Sequence, residues 1–180
     1  FDKIPAIPVK PDGALPEIAV EPLQRRHANV RRALAKRGMI EAITYSFLSA
    51  RDAELFGGAN PSVTLVNPIS SDLDVMRPSL LPNLINAAKK NADHANENAA
   101  LFEVGPQFSG DLPEDEIIVA TGIRTELIGD RNWLEPQRPV DAFDAKADVF
   151  DILNELWDGS KKLQISKDAP QWYHPGKSGV

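Results

Sequence analysis

The sequence contains no cysteine, and this absence removes several kinds of chemistry at once. A chain without thiols forms no disulfide, holds no zinc through thiolates and has no cysteine nucleophile. It also lacks any apolar run near the ~20 residues that span a bilayer, so we expect no membrane partner. These features fit a reducing cytoplasm, which is the predicted location.

Motifs for phosphate, metal and acid–base chemistry are also missing. The chain has neither a Walker-type loop nor a GxGxxG pattern. Its histidines, His27, His94 and His174, are far apart in sequence, and a lone histidine is a poor candidate for a metal ligand. The carboxylates in the acidic loop 111–116 are adjacent, and charged residues of this kind are usually solvated. We therefore predict no catalytic residue, no metal site and no cofactor in this chain.

The charge balance is acidic, with 26 Asp and Glu against 20 Lys and Arg and a net charge of -6. Such a chain is a poor general binder of nucleic acid. Basic residues nevertheless crowd the first predicted helix, namely Arg25, Arg26, His27, Arg31, Arg32, Lys36 and Arg37. They indicate either a contact with an RNA backbone or a helix that packs on a partner protein. The second reading is favoured, because the basic positions surround the helix instead of lining one side.

Residues 1–21 are rich in proline. Proline fixes φ and removes a backbone hydrogen-bond donor. We predict that these residues form an extended connector from a preceding domain. Residues 22–180 are assigned to one core domain. The chain opens on Phe1 and breaks off just after a turn signal, so we expect a piece of a longer protein that is truncated within this domain.

Apolar periodicity predicts helices at 22–37, 49–55, 79–94 and 146–157. The inward residues of the last helix are predicted to be Val149, Ile152, Leu153 and Leu156. Strands are predicted at 42–48, 63–66, 99–104, 117–123 and 163–165, and the continuous apolar strand 117–123 is expected to be buried on both faces. Because hairpins and short helices join the strands, we predict an α+β fold with a mainly antiparallel sheet flanked by helices.

Several stretches, in a fixed order, carry a family resemblance. They are GMIEAITYSF at 38–47, NPISSD at 67–72 followed by MRPSLLPNL at 76–84, LFEVGP at 101–106, FDAKADV at 143–149 and WYHPGKSG at 172–179. In these segments the chain resembles the bacterial type of phenylalanyl-tRNA synthetase β subunit. The resemblance runs from the end of the B5 region through the class II synthetase-like B6–B7 core.

The resemblance implies a non-catalytic core that assembles with a catalytic α subunit in an α2β2 heterotetramer. The parent enzyme attaches phenylalanine to tRNA(Phe) and uses ATP and Mg²⁺. In this fold the first helix and the strand after it form the subunit interface, so Arg25, Arg26, Arg31, Arg32 and Lys36 would contact the α subunit or tRNA. The alternative is a stand-alone tRNA-binding or class II ligase-like module.

The resemblance also implies where catalysis is missing. In active class II enzymes, the segment after Phe-Glu-Val-Gly-Pro continues to an Arg that clamps the α-phosphate of ATP and then to a Glu beside the adenine. Here Gln107 and Phe108 come first, Ser109 stands at the position of the Arg, and Asp111 lies near that of the Glu. A serine offers neither charge nor a bidentate fork. This degenerate motif implies the fold of a synthetase without its chemistry.

Structural roles, and not substrate binding, are predicted for Arg77, Pro78, Pro82 and Glu103. Arg77 stands at the entry to the helix 79–94, where we expect it to pair with Asp72 or Asp74. Pro82 fits the first turn of that helix. Glu103 is expected on the strand face opposite Phe102 and Val104, which are predicted core residues.

Overall fold

The computed structural model describes residues 2–6, 20–58, 60–129, 132–157 and 172 of the chain. Its helices are α1 (Pro22–Lys36), α2 (Ala50–Glu54), α3 (Leu81–Asp93) and α4 (Ala142–Leu156), with 3-10 turns at Pro61–Val63 and Pro113–Asp115. Its strands are β1 (Ile40–Glu41), β2 (Phe47–Leu48), β3 (Val75–Met76), β4 (Ala100–Phe108) and β5 (Glu116–Arg124). Among these residues, none of the helices combines the length and apolarity that a membrane span requires.

The strands form two small sheets. In the larger, β4 lies between β1 and β5, parallel to β1 and antiparallel to β5 along its whole length. In the smaller, β2 pairs antiparallel with β3. The strand predicted at 99–104 is confirmed, and it runs past Gly105 and Pro106 to Phe108. The result is a mixed arrangement of helices around a small sheet.

Helix α1 covers one face of β4. Its buried residues Val30 and Leu34 pack in one cluster with Met39, Phe102 and Val104. The predicted helix is therefore confirmed, and Gly38 ends it with a φ of +73°, a conformation that glycine adopts without strain. Leu23, in the first turn of α1, is exposed.

Helix α3 covers the other face of β4. Its residues Leu84 and Ala88 pack against Ala99 and Leu101, which point away from α1 because side chains alternate along a strand. Pro82 lies in the first turn of the helix, as predicted. The sheet therefore lies between α1 and α3, and Ile85 of α3 remains exposed.

The predicted strand at 42–48 is wrong over most of its length, since only Phe47–Leu48 belongs to a strand. The residues just before it make hydrogen bonds with a buried side chain instead of with a neighbouring strand. The hydroxyl of Thr44 and the carbonyl of Tyr45 both accept hydrogen bonds from the buried Arg77 guanidinium. Two polar contacts in the interior thus override the local β propensity of this segment.

Two further strand predictions need correction. The segment 63–66 is reduced to an isolated antiparallel bridge between Thr64 and Val75, because Asn60 caps a 3-10 turn over Pro61–Val63 by accepting a hydrogen bond from the amide of Ser62. The strand predicted at 117–123 exists as β5, but it is not buried on both faces. Ile117 and Ile118 are exposed, because the sheet places β5 at its edge within the described part of the chain.

The fourth predicted helix begins earlier than expected, at Ala142, where Asp141 caps it. Its inward face was predicted correctly only in part, since Ile152 packs against the cluster that contains Val30 and Leu34. Val149 and Leu156 are exposed, whereas the buried residues of α4 are Asp144 and Asp148. The strand predicted at 163–165 and most of the connector 1–21 lie outside the described residues.

Candidate functional site

The hairpin between β4 and β5 holds the degenerate motif. The backbone amide of Ser109 donates to the carbonyl of Asp115 over 3.0 Å, and the serine hydroxyl donates to the same oxygen over 3.2 Å. The carbonyl of Ser109 accepts from the Asn60 side chain. Phe108 packs on the small cluster beside β2 and β3, Gln107 is half-buried, and Asp111 is exposed in the turn. The polar groups of Ser109 thus serve the hairpin itself.

The charge of this hairpin has the wrong sign for a phosphate site. Residues 107–116 contain no Lys or Arg, and they include four carboxylates, those of Asp111, Glu114, Asp115 and Glu116. A negative loop repels a polyphosphate, and residues 107–116 supply no guanidinium that could neutralise charge developing during adenylate transfer. The residues of this hairpin therefore do not fit the triphosphate of ATP.

A buried ion pair lies close to the hairpin, between Arg77 and Glu103. The two side chains are 1% and 4% exposed, and Nη1 of Arg77 is 2.9 Å from Oε1 of Glu103. The guanidinium also donates to the carbonyl of Pro106 over 2.7 Å and to the hydroxyl of Thr44 over 2.9 Å. Thr44 in turn donates to Oε2 of Glu103 over 2.6 Å. The network joins the segment after β1, the end of β3 and the centre of β4.

The partner predicted for Arg77 was wrong. Asp74 instead accepts a hydrogen bond from the backbone amide of Ala50, at the start of α2. Gly105 explains how the guanidinium fits, because a Cβ atom there would lie 2.7 Å from Nη2 of Arg77. The LFEVGP segment at 101–106 thus supplies the carboxylate, the open space and a carbonyl acceptor for one arginine.

The basic residues of α1 divide into two groups. The first is engaged within the chain: Arg31 pairs with Glu41 at 2.6 Å, and Lys36 pairs with Glu155 at 3.2 Å. Arg31 also donates to the carbonyl of Val104. These contacts tie α1 to β1, β4 and α4.

The second group faces outward and comprises Arg25, Arg26 and Arg32. None of them has an ion pair among the described residues, although Arg32 donates a hydrogen bond to Asn29. Arg25 and Arg32 are seven residues apart, so they lie on one side of the helix. Arg25 and Arg26 line a shallow cavity of about 220 Å³ together with residues of α4. The charge that α1 offers to a partner is therefore smaller than its composition suggests.

Acidic residues of α4 form a second polar cluster, which sequence reasoning missed. Asp148 accepts hydrogen bonds from Nε of Arg37 over 2.8 Å and from Nε of Arg124 over 2.7 Å. Arg124 also donates to the carbonyl of Arg37, at the end of α1. Near the start of α4, Asp144 accepts from Arg138. These ion pairs hold α4 against α1, β5 and the loop after β5.

The pKa values of these carboxyl groups follow from their partners. Burial alone would raise the pKa of Asp148, but hydrogen bonds from Arg124 and Arg37 outweigh it and hold that pKa below its ordinary value. The hydrogen bond from Arg138 lowers the pKa of Asp144 well below its usual range. The sequence carried a signal for this cluster, because its acidic residues recur at helical spacing, at Asp144, Asp148, Asp151 and Glu155.

The chain matches a family model and several curated proteins. The family model described as the phenylalanyl tRNA synthetase beta chain CLM domain matches residues 7–179. The phenylalanine–tRNA ligase beta subunit of Paramagnetospirillum magneticum is 50% identical over 180 residues, which are 100% of this chain and 22% of that protein. The corresponding subunit of Rhodospirillum rubrum is 48% identical over 179 residues, 99% of this chain and 22% of that protein. The chain therefore spans about a fifth of the length of these relatives.

Solved structures agree on the fold. A pyrrolysyl tRNA synthetase from Desulfitobacterium hafniense superposes with a TM-score of 0.58 at 14% identity, covering 83% of this chain and 49% of that one. A second structure of this synthetase from the same organism gives a TM-score of 0.57. At this identity the likeness shows a shared synthetase fold and nothing finer. On the family model and the curated relatives together, the chain belongs to the phenylalanyl tRNA synthetase beta chain CLM domain family.

Proposed function

We propose that this chain is the non-catalytic, synthetase-like core of a phenylalanine–tRNA ligase β subunit. In this proposal it assembles with a catalytic α subunit in a cytoplasmic α2β2 enzyme that attaches phenylalanine to tRNA(Phe). ATP and Mg²⁺ then bind to the α subunit, and residues 1–21 connect this core to the preceding domain. In the complete subunit, further strands beside β5 would give the mainly antiparallel sheet of a class II core.

One observation carries the proposal, namely the hydrogen bonding of Ser109 within its negatively charged hairpin. The residue at the position of the catalytic arginine donates its hydroxyl to the backbone of its own turn, and the surrounding carboxylates repel phosphate. The guanidinium of Arg77, whose backbone carbonyl accepts a hydrogen bond from the amide of Phe108, is already committed to Glu103 in the interior. An arginine whose donors are satisfied by buried acceptors serves packing and not substrate binding.

The first prediction concerns Ser109. In the assembled α–β enzyme, Ser109→Ala should change phenylalanine-dependent ATP–pyrophosphate exchange by less than about twofold, since its hydroxyl stabilises a turn and no transition state. The matched measurement is the same exchange assay on this chain alone, which should show no activity. A tenfold loss in the variant enzyme, or exchange by the isolated chain, would assign catalysis to this subunit.

The outward residues of α1 support the assembly role. Arg31 and Lys36 are neutralised by carboxylates of the same chain, which leaves a short basic stripe around Arg25 and Arg32. RNA binding through the backbone draws on several free cations at once, whereas a protein interface needs only a few charges around an apolar centre. The internal pairing therefore favours a protein partner for this helix.

Charge reversal at Arg25 and Arg32 tests this role. We expect Arg25→Glu with Arg32→Glu to reduce copurification of the β subunit with its α subunit by about tenfold, through repulsion at the contact. Arg51→Glu, at an exposed position on α2, is the matched control and should copurify normally. Arg31 is unsuitable for this test, because its reversal would break the contact with Glu41 inside the chain. If assembly persists and tRNA affinity falls instead, α1 is an RNA-binding element.

A further inference from the structure

Asp148 of α4 joins three elements of the fold at the C-terminal end of α1. Its Oδ1 accepts a hydrogen bond from Nε of Arg37 over 2.8 Å, and its Oδ2 accepts one from Nε of Arg124 over 2.7 Å. Nη2 of Arg124 also donates to the carbonyl of Arg37 over 2.9 Å. The side chains of Asp148 and Arg124 are both 10% exposed, so water competes little with these contacts. The carboxylate thus fixes the end of α1 to α4 and β5 at once.

The two ends of α1 are held differently by the described residues. At the C-terminal end, Arg124 places a cation beside the carbonyl of Arg37, where helix carbonyls lack partners and the helix dipole is negative. At the N-terminal end, the side chain of Glu21 accepts no capping hydrogen bond, and the first turn contains no acidic residue. Arg25 and Arg26 lie near that end, where the dipole disfavours positive charge. The end of α1 that carries these two arginines is therefore the less firmly held one.

Polar contacts also hold the middle of α1. Arg31 pairs with Glu41 of β1 at 2.6 Å and donates to the carbonyl of Val104 in β4 over 3.0 Å. Apolar packing is non-directional, whereas charge-assisted hydrogen bonds favour one geometry. A helix that is fixed at its middle and at one end has a defined direction. The contacts of Asp148 therefore set, together with those of Arg31, the direction in which α1 points.

Loss of the Asp148 carboxylate would release the C-terminal end of the helix. Arg37 and Arg124 would then face each other as like charges, and α1 would be free to tilt about Arg31. Arg25 lies about 9 Å from Arg31 along the helix axis, so a tilt of about 10° moves it by about 1.5 Å. Hydrogen bonds occupy a range of only about 0.5 Å in length, so a shift of this size breaks them. An outward arginine displaced in this way no longer fits a surface that matches the native direction of α1.

We propose that Asp148 is a positioning residue for subunit assembly. It lies on the inner side of α1, and it acts by directing this helix so that Arg25 and Arg32 meet the α subunit. The inference rests on the proposed function, in which these arginines contact that subunit. It adds the cause of the fit, because an ion-pair cluster behind the helix pre-organises the contact. Pre-organisation raises affinity by reducing the cost of ordering the surface on binding.

Titration of one subunit with the other tests the proposal. The full-length β subunit carrying Asp148→Ala is titrated with its α subunit, after circular dichroism has shown that the variant is folded in the assay buffer. We expect an affinity at least about fivefold lower than that of the native β subunit, because the outward arginines are misplaced. Asp148→Asn keeps the shape of the side chain and removes its charge, and it should lower the affinity by at least about twofold. This second variant decides the question if the alanine variant does not fold.

Leu84→Ala and Glu155→Ala are the matched controls. Leu84→Ala leaves a cavity between α3 and β4, on the face of the sheet opposite α1, and should destabilise the fold about as much as Asp148→Ala. Glu155→Ala breaks only the exposed pair between α4 and Lys36. Both should leave the affinity of the folded β subunit within about twofold of the native value. An equal loss of affinity in Asp148→Ala and Leu84→Ala would overturn the proposal, because any loss of stability would then weaken assembly.

A combined variant shows whether Asp148 acts through the outward arginines. In a β subunit that carries Arg25→Glu and Arg32→Glu, the contact is already lost, so adding Asp148→Ala should lower the affinity by less than about twofold further. A full additional loss would overturn the proposal, since Asp148 would then act independently of these arginines. If Arg25→Glu with Arg32→Glu weakens assembly whereas Asp148→Ala does not, the positioning role fails and the proposed contact of α1 stands. If neither change weakens assembly, both fail.

Discussion

Arg77→Met should lower the free energy of unfolding of this chain by about 3–5 kcal/mol, because it leaves the carboxylate of Glu103 buried without a cation. The substitution keeps an unbranched, flexible side chain of similar volume and removes all of its donors. The hydroxyl of Thr44 and the carbonyl of Pro106 each lose the hydrogen bond that they accept from Arg77. Urea unfolding followed by circular dichroism measures the change.

The double variant Arg77→Met with Glu103→Met separates charge from packing. When both ions are replaced by apolar groups of similar volume, much of the loss should be recovered, since no buried charge remains unpaired. Arg77→Lys is the matched control for charge. A lysine keeps the positive charge but cannot reach Glu103, Thr44 and Pro106 together, so an intermediate loss is expected. A loss below about 1 kcal/mol for Arg77→Met would show that the pair is dispensable.

Asp148→Ala should have the second large effect, because it leaves Arg37 and Arg124 facing each other at the junction of α1, α4 and β5. We expect a loss of about 3 kcal/mol, typical of breaking a mostly buried ion pair from one side. Glu155→Ala, which breaks only the exposed pair with Lys36, should cost less than about 1 kcal/mol. Similar losses in the two variants would mean that the position of Asp148 confers no special stability.

The same cluster makes stability depend on pH in acid. The pKa of Asp148 and that of Asp144 are lower in the folded chain than in the unfolded chain. Their contribution is therefore complete above the unfolded pKa of about 3.9, and it is lost as pH falls below that value toward the folded pKa. Urea midpoints measured from neutral pH down to about pH 3 should fall steeply for the native chain and less steeply for Asp148→Asn.

The sequence predicted the parts of the fold in which apolar periodicity and end signals agree. Helices α1 and α3 were found because their buried residues, such as Leu34 and Leu84, recur at helical spacing and a glycine or proline marks an end. β4 was found because Phe102 and Val104 alternate with smaller or polar residues. In these elements, local pattern and tertiary packing favour the same structure.

Two of the failures share a physical cause, which is polar packing in the interior. Val149 and Leu156 were predicted to face inward on α4, but the ion-paired Asp144 and Asp148 occupy its inner side instead. The segment at 42–48 was taken as a strand, but Thr44 bends toward a buried arginine that is 33 residues away in sequence. For the candidate site, the replacement of the class II arginine by Ser109 could be read directly from the sequence. The partner of Arg77 could not, since Glu103 approaches it only when β3 and β4 have packed together.

The Arg77 network also bears on how the chain reaches its native state. Its side chains come from three segments that are distant in sequence, and each is satisfied only when the other two are in place. If one of the three side chains is missing, a charged group is buried without its partner. This is less favourable than leaving every group in water. Partly docked intermediates are thereby penalised, and the network makes the final docking of β3 and the segment around Thr44 onto β4 an all-or-none event.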